Sequence, residues 1–242
     1  MSLTKTSKSM IAAARELSDQ VDALSFSEPV THVYNPLNYA WSAHEKFLTR
    51  FARKPVRTVL MGMNPGPWGM AQTGVPFGEI AAVRDWMGIE CPVGKPPEEN
   101  PKRPIVGFSC ARSEVSGRRL WGLFSERFKT PTDFFKKHFV INYCPLVFME
   151  AGGRNLTPDK LPPAEAAELF RLCDAHLQRV LAILKPDWAV GVGAFALKRI
   201  DRVNTNPKIQ TGTILHPSPA SPAANKDWSG KATAQLEAMG IW

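Results

Sequence analysis

The segment Gly62-Met63-Asn64-Pro65-Gly66-Pro67 places a side-chain amide among turn-forming residues. An Asn amide can accept a hydrogen bond from a water and hold it for attack, but it does not ionise and is no strong general base. Pro65 removes a backbone donor, and Gly66 permits a positive φ or the close approach of a ligand. Asn64 is therefore a candidate for positioning a water, although an ordinary Asn-Pro turn is the favoured interpretation from local sequence alone.

Two further residues have the chemistry to hold a nucleobase. The amide of Asn142 offers one acceptor and two donors, which match the N3–H donor and O4 acceptor of uracil and reject the reversed pattern of cytosine. Phe77 stands at a turn, Val75-Pro76-Phe77-Gly78, where a ring can stack on a base for roughly 1–3 kcal/mol. Taken singly, an Asn that caps a loop and a Phe of the core are the ordinary alternatives.

His216 is held between a predicted strand and two prolines, Pro217 and Pro219. A histidine so fixed can donate a hydrogen bond to the negative charge that develops on a leaving group. A structural histidine is the alternative, and the rigid flanks favour function. The other histidines lack such flanks and are interpreted as structural: His32, His44, His138 and His176.

The segment that follows His216, Pro217–Lys226, is a stiff loop of prolines and small residues. Such a loop could enter a DNA groove and hold the gap left by a flipped base, with Lys226 on a phosphate. An ordinary Pro-rich loop is the alternative. The predicted DNA contacts are Pro219, Ala220, Ser221, Pro222, Asn225 and Lys226.

Strands and helices must position these residues. Four short apolar runs predict buried strands: Thr58–Met63, His138–Asn142, Trp188–Val192 and Ile209–Leu215. Helical patterns lie between them, at Glu79–Met87, along Leu169, Leu172, Val180, Leu181 and Leu184, at Ala194–Val203 and at Trp228–Met239. Alternating strands and helices predict an α/β fold with a parallel sheet. Ligands bind beyond the carboxyl ends of such strands, where the candidate residues stand.

Composition narrows the class of protein. The 242 residues carry a formal net charge of +8 and a pI of about 9.5, which suits a polyanionic partner or a merely basic surface. Four cysteines without metal-ligand spacing indicate reduced thiols, with Cys173 in the core. No apolar run approaches the ~20 residues of a membrane span, and no signal peptide is apparent. We expect one domain, 1–242, with a helical extension at 1–25 and a surface loop at Pro92–Pro104.

Other enzyme signatures do not occur in the sequence. It contains no P-loop, no HExxH pair and no Gly-x-Ser-x-Gly elbow. No carboxylate pair of the kind that sugar hydrolases use is obvious either.

Taken together, the segments resemble the single-strand-selective monofunctional uracil-DNA glycosylases, a branch of the uracil-DNA glycosylase superfamily. They occur in the order of that family and span nearly the whole chain. The matching stretches are GMNPGPWGMAQTGVPFGEI (62–80), SEVSGRRLWG (113–122), INYCPL (141–146), GRNLTP (153–158), AVGVG (189–193) and HPSPASPAANKDW (216–228).

The resemblance implies a three-layer α/β/α domain with a central four-stranded parallel sheet and no metal or cofactor. It implies that Asn64 positions the attacking water and that His216 stabilises the departing base. Asn142 would read the uracil edge and Phe77 would stack on the base. The Met63 and Gly66 positions would admit a C5-modified uracil such as 5-hydroxymethyluracil.

Two residues depart from the pattern of the family. Ala220 stands where better-known members carry an Arg that fills the gap in the duplex, and Asp227 replaces a Gly beside Lys226. Both departures bear on duplex activity more than on single-strand activity. The replacement of Phe by Trp68 is conservative.

The predicted activity is hydrolysis of the glycosidic bond of uracil and C5-modified uracils in single- and double-stranded DNA, by a monomer without a membrane partner. The alternatives are main activity on hypoxanthine or xanthine, a hydrolase of free nucleosides, and a non-catalytic single-strand binding module. The expected compartment is a bacterial cytoplasm, at the nucleoid, or a eukaryotic nucleus. The sequence contains no strong basic localisation cluster, which favours the bacterial case.

Overall fold

A computed structural model describes residues 3–242. Its strands are β1 (His32–Tyr34), β2 (Thr58–Gly62), β3 (His138–Asn142), β4 (Val147–Met149), β5 (Asn155–Leu156), β6 (Trp188–Val192) and β7 (Gln210–Ile214). Four of them form a parallel sheet in the spatial order β3-β2-β6-β7. The four predicted strands are therefore confirmed, and each observed end lies within one residue of its predicted position.

Helices surround this sheet, as the predicted α/β class requires. They are α1 (Lys5–Asp22), α2 (Pro36–Tyr39), α3 (Trp41–Phe51), α4 (Met70–Thr73), α5 (Val115–Phe128), α6 (Pro131–Phe135), α7 (Pro163–Leu184), α8 (Ala194–Val203) and α9 (Pro222–Ala238). The apolar positions predicted for the long helix form the buried face of α7. The prediction for α8 is confirmed at both ends.

The N-terminal helix is part of the core. Helix α1 buries Met10, Leu17 and Val21 and packs against α3 and α7. Thr4 caps its first turn by accepting a hydrogen bond from the N–H of Ser7. The segment predicted as an extension thus contributes to the same packed interior as the sheet.

The helix predicted over Glu79–Met87 is confirmed over residues 80–86, although most of it is widened. It starts as an α-helix, with the N–H of Val83 bonded to the carbonyl of Glu79. A widened π-helical turn follows at Ala82–Trp86, where the N–H of Met87 is bonded to the carbonyl of Ala82. Gly88, at φ +64°, then turns the chain so that Ile89 bonds back to Val83. The helical residues therefore end at Trp86, one residue before the predicted end.

Helix α9 begins six residues earlier than the predicted Trp228. Ser221 accepts a hydrogen bond from the N–H of Ala224 and Pro222 fills the first helical position, so part of the predicted loop is helical. Asp227 interrupts the helix at φ −163° and ψ 82°. Its carboxylate accepts from the N–H of Gly230 and caps a second helical segment, which begins where the sequence predicted it.

Sequence patterns did not reveal a second, antiparallel sheet in the order β1-β4-β5. Its strands are two or three residues long, too short for a periodic signal. The region of the predicted Pro92–Pro104 loop contains neither helix nor strand. It is nevertheless anchored by Asn100, which is fully buried and donates its backbone N–H to the hydroxyl of Tyr34.

Within residues 3–242, no helix is both long enough and apolar enough to cross a membrane. Cys173 is buried in the core as predicted, and all four cysteines are free thiols.

Candidate active site

A cavity of about 340 Å³ opens at the carboxyl ends of the parallel strands. The loops that follow β2, β3 and β7 all contribute to it, which is the expected place for a ligand in an open parallel sheet. The predicted residues that line it are Met63, Asn64, Gly66, Phe77, Asn142, His216 and Pro219. The fold therefore brings all the predicted catalytic and base-binding side chains together.

The amide of Asn64 is held in one orientation. Its Nδ2 donates to the backbone carbonyl of Leu146 at 3.1 Å, on the loop that follows β3. Among the described residues, none donates to the Oδ1 of Asn64. The amide nitrogen is thus committed to the protein, and the oxygen is left as an acceptor for a water in the cavity.

Asn142 ends β3 opposite Gly62 of β2, and both residues adjoin the ring of Phe77. A Cβ at Gly62 would lie 2.5 Å from that ring and 2.7 Å from the Oδ1 of Asn142. Only glycine leaves room for ring and amide together at this strand end. The Nδ2 of Asn142 lies 3.3 Å from the sulfur of Met70, a weak acceptor that a base oxygen could replace.

Phe77 has a backbone conformation that is rare for an aromatic residue, with φ +54°. Strain of this kind is found at sites where a side chain must be aimed, and the surroundings of Phe77 maintain it. A Cβ at Gly117 of α5 would lie 2.0 Å from the Phe77 carbonyl, so α5 packs directly on this turn. The ring lies 6.4 Å from the imidazole of His216, centroid to centroid.

The imidazole of His216 has a defined tautomer. Its Nδ1 accepts a hydrogen bond from the N–H of Ser218 at 3.1 Å, so the proton of the neutral ring is on Nε2. Burial lowers the pKa of His216 below its usual 6.5. Near neutral pH the side chain is therefore an uncharged donor.

Glu114 is one of several cavity residues that reasoning from residue types missed. Its carboxylate accepts from the backbone N–H groups of Trp68 and Ser116, and burial raises its pKa. A Cβ at Gly66 would lie 2.4 Å from its Oε2, so the absent side chain of Gly66 makes room for this carboxylate. Other cavity residues that were not predicted include Met70, Ser116, Asn155 and Thr157. Most of these residues lie in the resembling stretches 113–122 and 153–158, which the sequence matched without assigning roles.

The predicted DNA contacts beyond Pro219 lie outside the cavity, on an adjoining surface. Ala220, Pro222, Asn225 and Lys226 are exposed, and Ser221 is partly exposed as the cap of α9. Ala220 has no long side chain to offer there.

Arg119 of α5 fastens this segment to the rest of the protein. Its guanidinium donates to the carbonyl of Pro217 at 3.0 Å and to the Oδ1 of Asn225 at 2.9 Å. The Nδ2 of Asn225 in turn donates to the carbonyl of Pro219 at 2.8 Å. Asn225 is therefore engaged in shaping the segment 217–225, and Arg119 sets its position against α5.

Within residues 3–242, no group of three His, Cys, Asp or Glu side chains has a geometry that could hold a metal ion. The cavity itself holds two titratable side chains, Glu114 and His216.

Comparison with known proteins identifies the family of this chain. The Uracil DNA glycosylase superfamily matches residues 49–237. The single-strand selective monofunctional uracil DNA glycosylase of Bos taurus is 47% identical over 93% of this chain and 84% of its own length. The protein of that name from Mus musculus is 46% identical over 93% and 81%.

A solved structure shares the fold at much lower identity. The crystal structure of Pedobacter heparinus SMUG2 superposes with a TM-score of 0.64 at 17% identity, over 95% of this chain and 99% of that one. The chain therefore belongs to the uracil DNA glycosylase superfamily and, within it, to the single-strand selective monofunctional uracil DNA glycosylases.

Proposed function

We propose that this protein excises uracil from DNA by hydrolysing the N-glycosidic bond and leaving an abasic site in an intact strand. The observation that carries the proposal is the meeting of Asn64, Asn142, Phe77 and His216 at one cavity. A nucleobase in a duplex reaches such a cavity only when it is flipped out of the stack. The family membership given above supports the same reaction.

Recognition of the base falls to Asn142 and Phe77. The Oδ1 of Asn142 accepts the N3–H of uracil and its Nδ2 donates to O4, which displaces the weak contact with Met70. Phe77 stacks on the ring. Cytosine presents the reverse pattern and leaves two buried groups facing like partners, so it is rejected.

Cleavage begins with the bond between C1′ of the sugar and N1 of the base. The bonding electrons pass to uracil, which leaves as an anion, and the sugar acquires oxocarbenium character. His216 donates its Nε2–H to that anion while remaining neutral. A preorganised donor of this kind contributes about 100- to 1000-fold to the rate.

A water held on the Oδ1 of Asn64 then adds to C1′. Its hydroxyl becomes part of the abasic sugar, and its remaining proton balances the charge of the uracil anion. Asn64 accepts a hydrogen bond from the water and takes no proton. Among the described residues, no lysine lines the cavity to form a Schiff base, so the strand is left uncut.

Uracil with a small polar group at C5 is proposed as a further substrate. Met63 and Gly66, the positions that the family resemblance assigns to the C5 group, both line the cavity. Duplex DNA is proposed as a second, weaker substrate form. The segment 217–226 lies beside the cavity, but Ala220 is too short to fill the gap that a flipped base leaves.

The test is incubation of the protein in EDTA with a labelled single strand that contains one uracil. Part of the sample is then treated with hot alkali, which cuts abasic sites. We expect the strand to be cut only in the part of the sample that is treated with alkali. Cleavage in the untreated part would contradict the monofunctional assignment. Release of hypoxanthine or xanthine in preference to uracil would contradict the substrate, and binding without release of any base would favour a binding module.

A further inference from the structure

We propose that Arg103, Trp68 and Arg112, which we call the basic strip, bind the phosphates of the substrate strand beside the flipped nucleotide. This inference rests on the proposed function, because it concerns the path by which DNA reaches the cavity. None of the three residues lines the cavity itself. The strip is a surface separate from the segment 217–226, to which the sequence assigned the DNA contacts.

Two guanidinium groups meet one indole ring in the strip. The guanidinium carbon of Arg103 lies 5.1 Å from the ring centroid of Trp68, and that of Arg112 lies 4.9 Å from it. A guanidinium held over an aromatic face keeps its N–H donors directed outward at its edge. Trp68 therefore fixes two charges in place while it leaves their hydrogen-bonding edges available.

Neither arginine is neutralised by a carboxylate among the described residues. Arg112 is exposed, and its side chain forms neither a hydrogen bond nor an ion pair with any other residue of 3–242. In the same part of the chain, the side chain of Arg103 donates only to the carbonyl of Lys102, and its Nε is buried without a partner. The Nε is too deeply buried to meet a ligand, but the Nη2 of Arg103 also has no hydrogen-bond partner within residues 3–242 and is free to donate to one. A phosphate oxygen is an acceptor of the right charge and geometry.

The strip is rigidly joined to the cavity. The backbone N–H of Trp68 is bonded to the carboxylate of Glu114, which lines the cavity and follows Arg112 by two residues. Gln72 is fully buried, and its Nε2 donates at 3.0 Å both to the carbonyl of Pro67 and to that of Pro104. The residues next to Trp68 and Arg103 are therefore held by one amide, and the strip stands at a fixed distance from Asn64.

The two guanidinium groups of the basic strip suit the phosphates of a nucleic-acid backbone. Phosphate contacts from arginine position a strand without reading its sequence. Each such contact on a single strand adds about 0.7 to the slope of log affinity against log salt. Each arginine that binds a phosphate should therefore account for a defined part of the salt dependence of DNA affinity. A purely structural role of the two arginines would not contribute to that slope.

The test compares Arg103→Ala, Arg112→Ala and Trp68→Phe with the wild type. Lys208→Ala is the matched control, because Lys208 is exposed and precedes β7, at the opposite end of the sheet from the cavity. Two quantities are measured between roughly 50 and 200 mM salt. One is kcat/KM for uracil excision from a single strand, and the other is the Kd of a strand of the same length without uracil. Melting temperatures identify any variant that fails to fold.

We expect each arginine variant to lower affinity and kcat/KM by roughly three- to tenfold at the lowest salt and to reduce the salt slope by about 0.7. The effect should fall on KM while kcat changes little, since neither side chain touches the reacting base. Trp68→Phe retains an aromatic face and should change the slope less than either arginine variant. Lys208→Ala should match the wild type.

Slopes that stay at the wild-type value in both arginine variants would overturn the inference, and so would an equal change in Lys208→Ala. A wild type that excises no uracil would contradict the proposed function instead. The Kd slopes of the uracil-free strand would then still decide the role of the strip.

Discussion

The Nδ1 of His216 accepts a hydrogen bond from the backbone N–H of Ser218, 3.1 Å away. Pro217 between them and Pro219 beyond restrict the backbone, and a Cβ at Gly193 would lie 3.1 Å from that of His216, so the histidine is enclosed on several sides. The bond leaves the proton on Nε2, and burial keeps the ring neutral. A neutral donor with a fixed direction is what departure of an anionic base requires.

The pH dependence of excision follows from this arrangement. The pKa of His216 lies below 6.5, so the ring stays neutral from alkaline pH down through 6.5 and gains a proton only at lower pH. Protonation breaks the bond from Ser218, because Nδ1 then becomes a donor. We expect kcat/KM to be level between about pH 6.5 and 8 and to fall on the acid side.

The measurement is kcat/KM on a single strand with one uracil across that range. His216→Asn is the control, since it keeps a donor but cannot titrate. If kcat/KM of His216→Asn fell at the same pH and by the same factor as in the wild type, the titration would belong to another group, such as Glu114.

Base recognition by Asn142 predicts a large effect of a small change. Asn142→Asp keeps the shape of the side chain but replaces the Nδ2 donor by an oxygen that repels O4 of uracil. The loss of one hydrogen bond and the repulsion together should lower kcat/KM for uracil about 100-fold or more. The comparison is with Asn206→Asp, a change of the same kind at an exposed residue that precedes β7, away from the cavity. A wild-type rate in Asn142→Asp would contradict the role of Asn142 in recognising the hydrogen-bonding edge of uracil.

Arg119 should matter most on duplex DNA. Arg119→Ala removes the donors to Pro217 and Asn225 and frees the segment 217–225 from α5. The rate on a uracil in duplex should fall roughly tenfold relative to the rate on a single strand, the size expected for one or two lost charged hydrogen bonds. The neighbouring Arg118→Ala is the matched control, because within residues 3–242 the Arg118 side chain donates a hydrogen bond only to Ser113. Equal losses on both substrates would instead indicate general damage to the cavity.

Replacement by alanine should have opposite effects at Gly62, which ends β2, and at Gly122, which lies in α5. Gly62→Ala places a methyl group against Phe77 and Asn142 and should abolish most activity, with a lower melting temperature. Gly122→Ala in α5 meets open space and should stabilise the protein by about 0.5–1 kcal/mol without loss of activity. Thermal melts and excision rates of the two variants check both statements. An active Gly62→Ala would show that the ring and amide can separate.

The central sheet and the cavity residues were accessible from sequence because their signals are local. A buried run such as Trp188–Val192 predicts a strand, and strand ends predict where Asn64, Asn142 and His216 meet. The resemblance to the family then supplied roles that single residues could not indicate. Their placement at one cavity agrees with those roles, which remain predictions until variants are measured.

What the sequence did not reveal depends on tertiary contacts. From its sequence context, Glu114 is predicted to be an ordinary surface acid. Its position in the cavity depends on hydrogen bonds from the backbone N–H groups of Trp68, which is distant in sequence, and of Ser116. The hydrogen bond from Arg119 to Asn225 joins residues that are 106 positions apart in the sequence. The kink at Asp227 is a cap inside one helix, a feature that composition alone does not distinguish from a surface charge.

The central claim divides the chemistry between Asn64 and His216, and single-turnover excision tests it most directly. Wild type, Asn64→Ala and His216→Ala are mixed in excess with a single strand that carries one uracil, and abasic sites are counted with time. The account predicts that each variant binds the strand with near wild-type affinity and cleaves at least about 100-fold more slowly. Wild-type rates in Asn64→Ala would contradict the claim that this amide holds the attacking water.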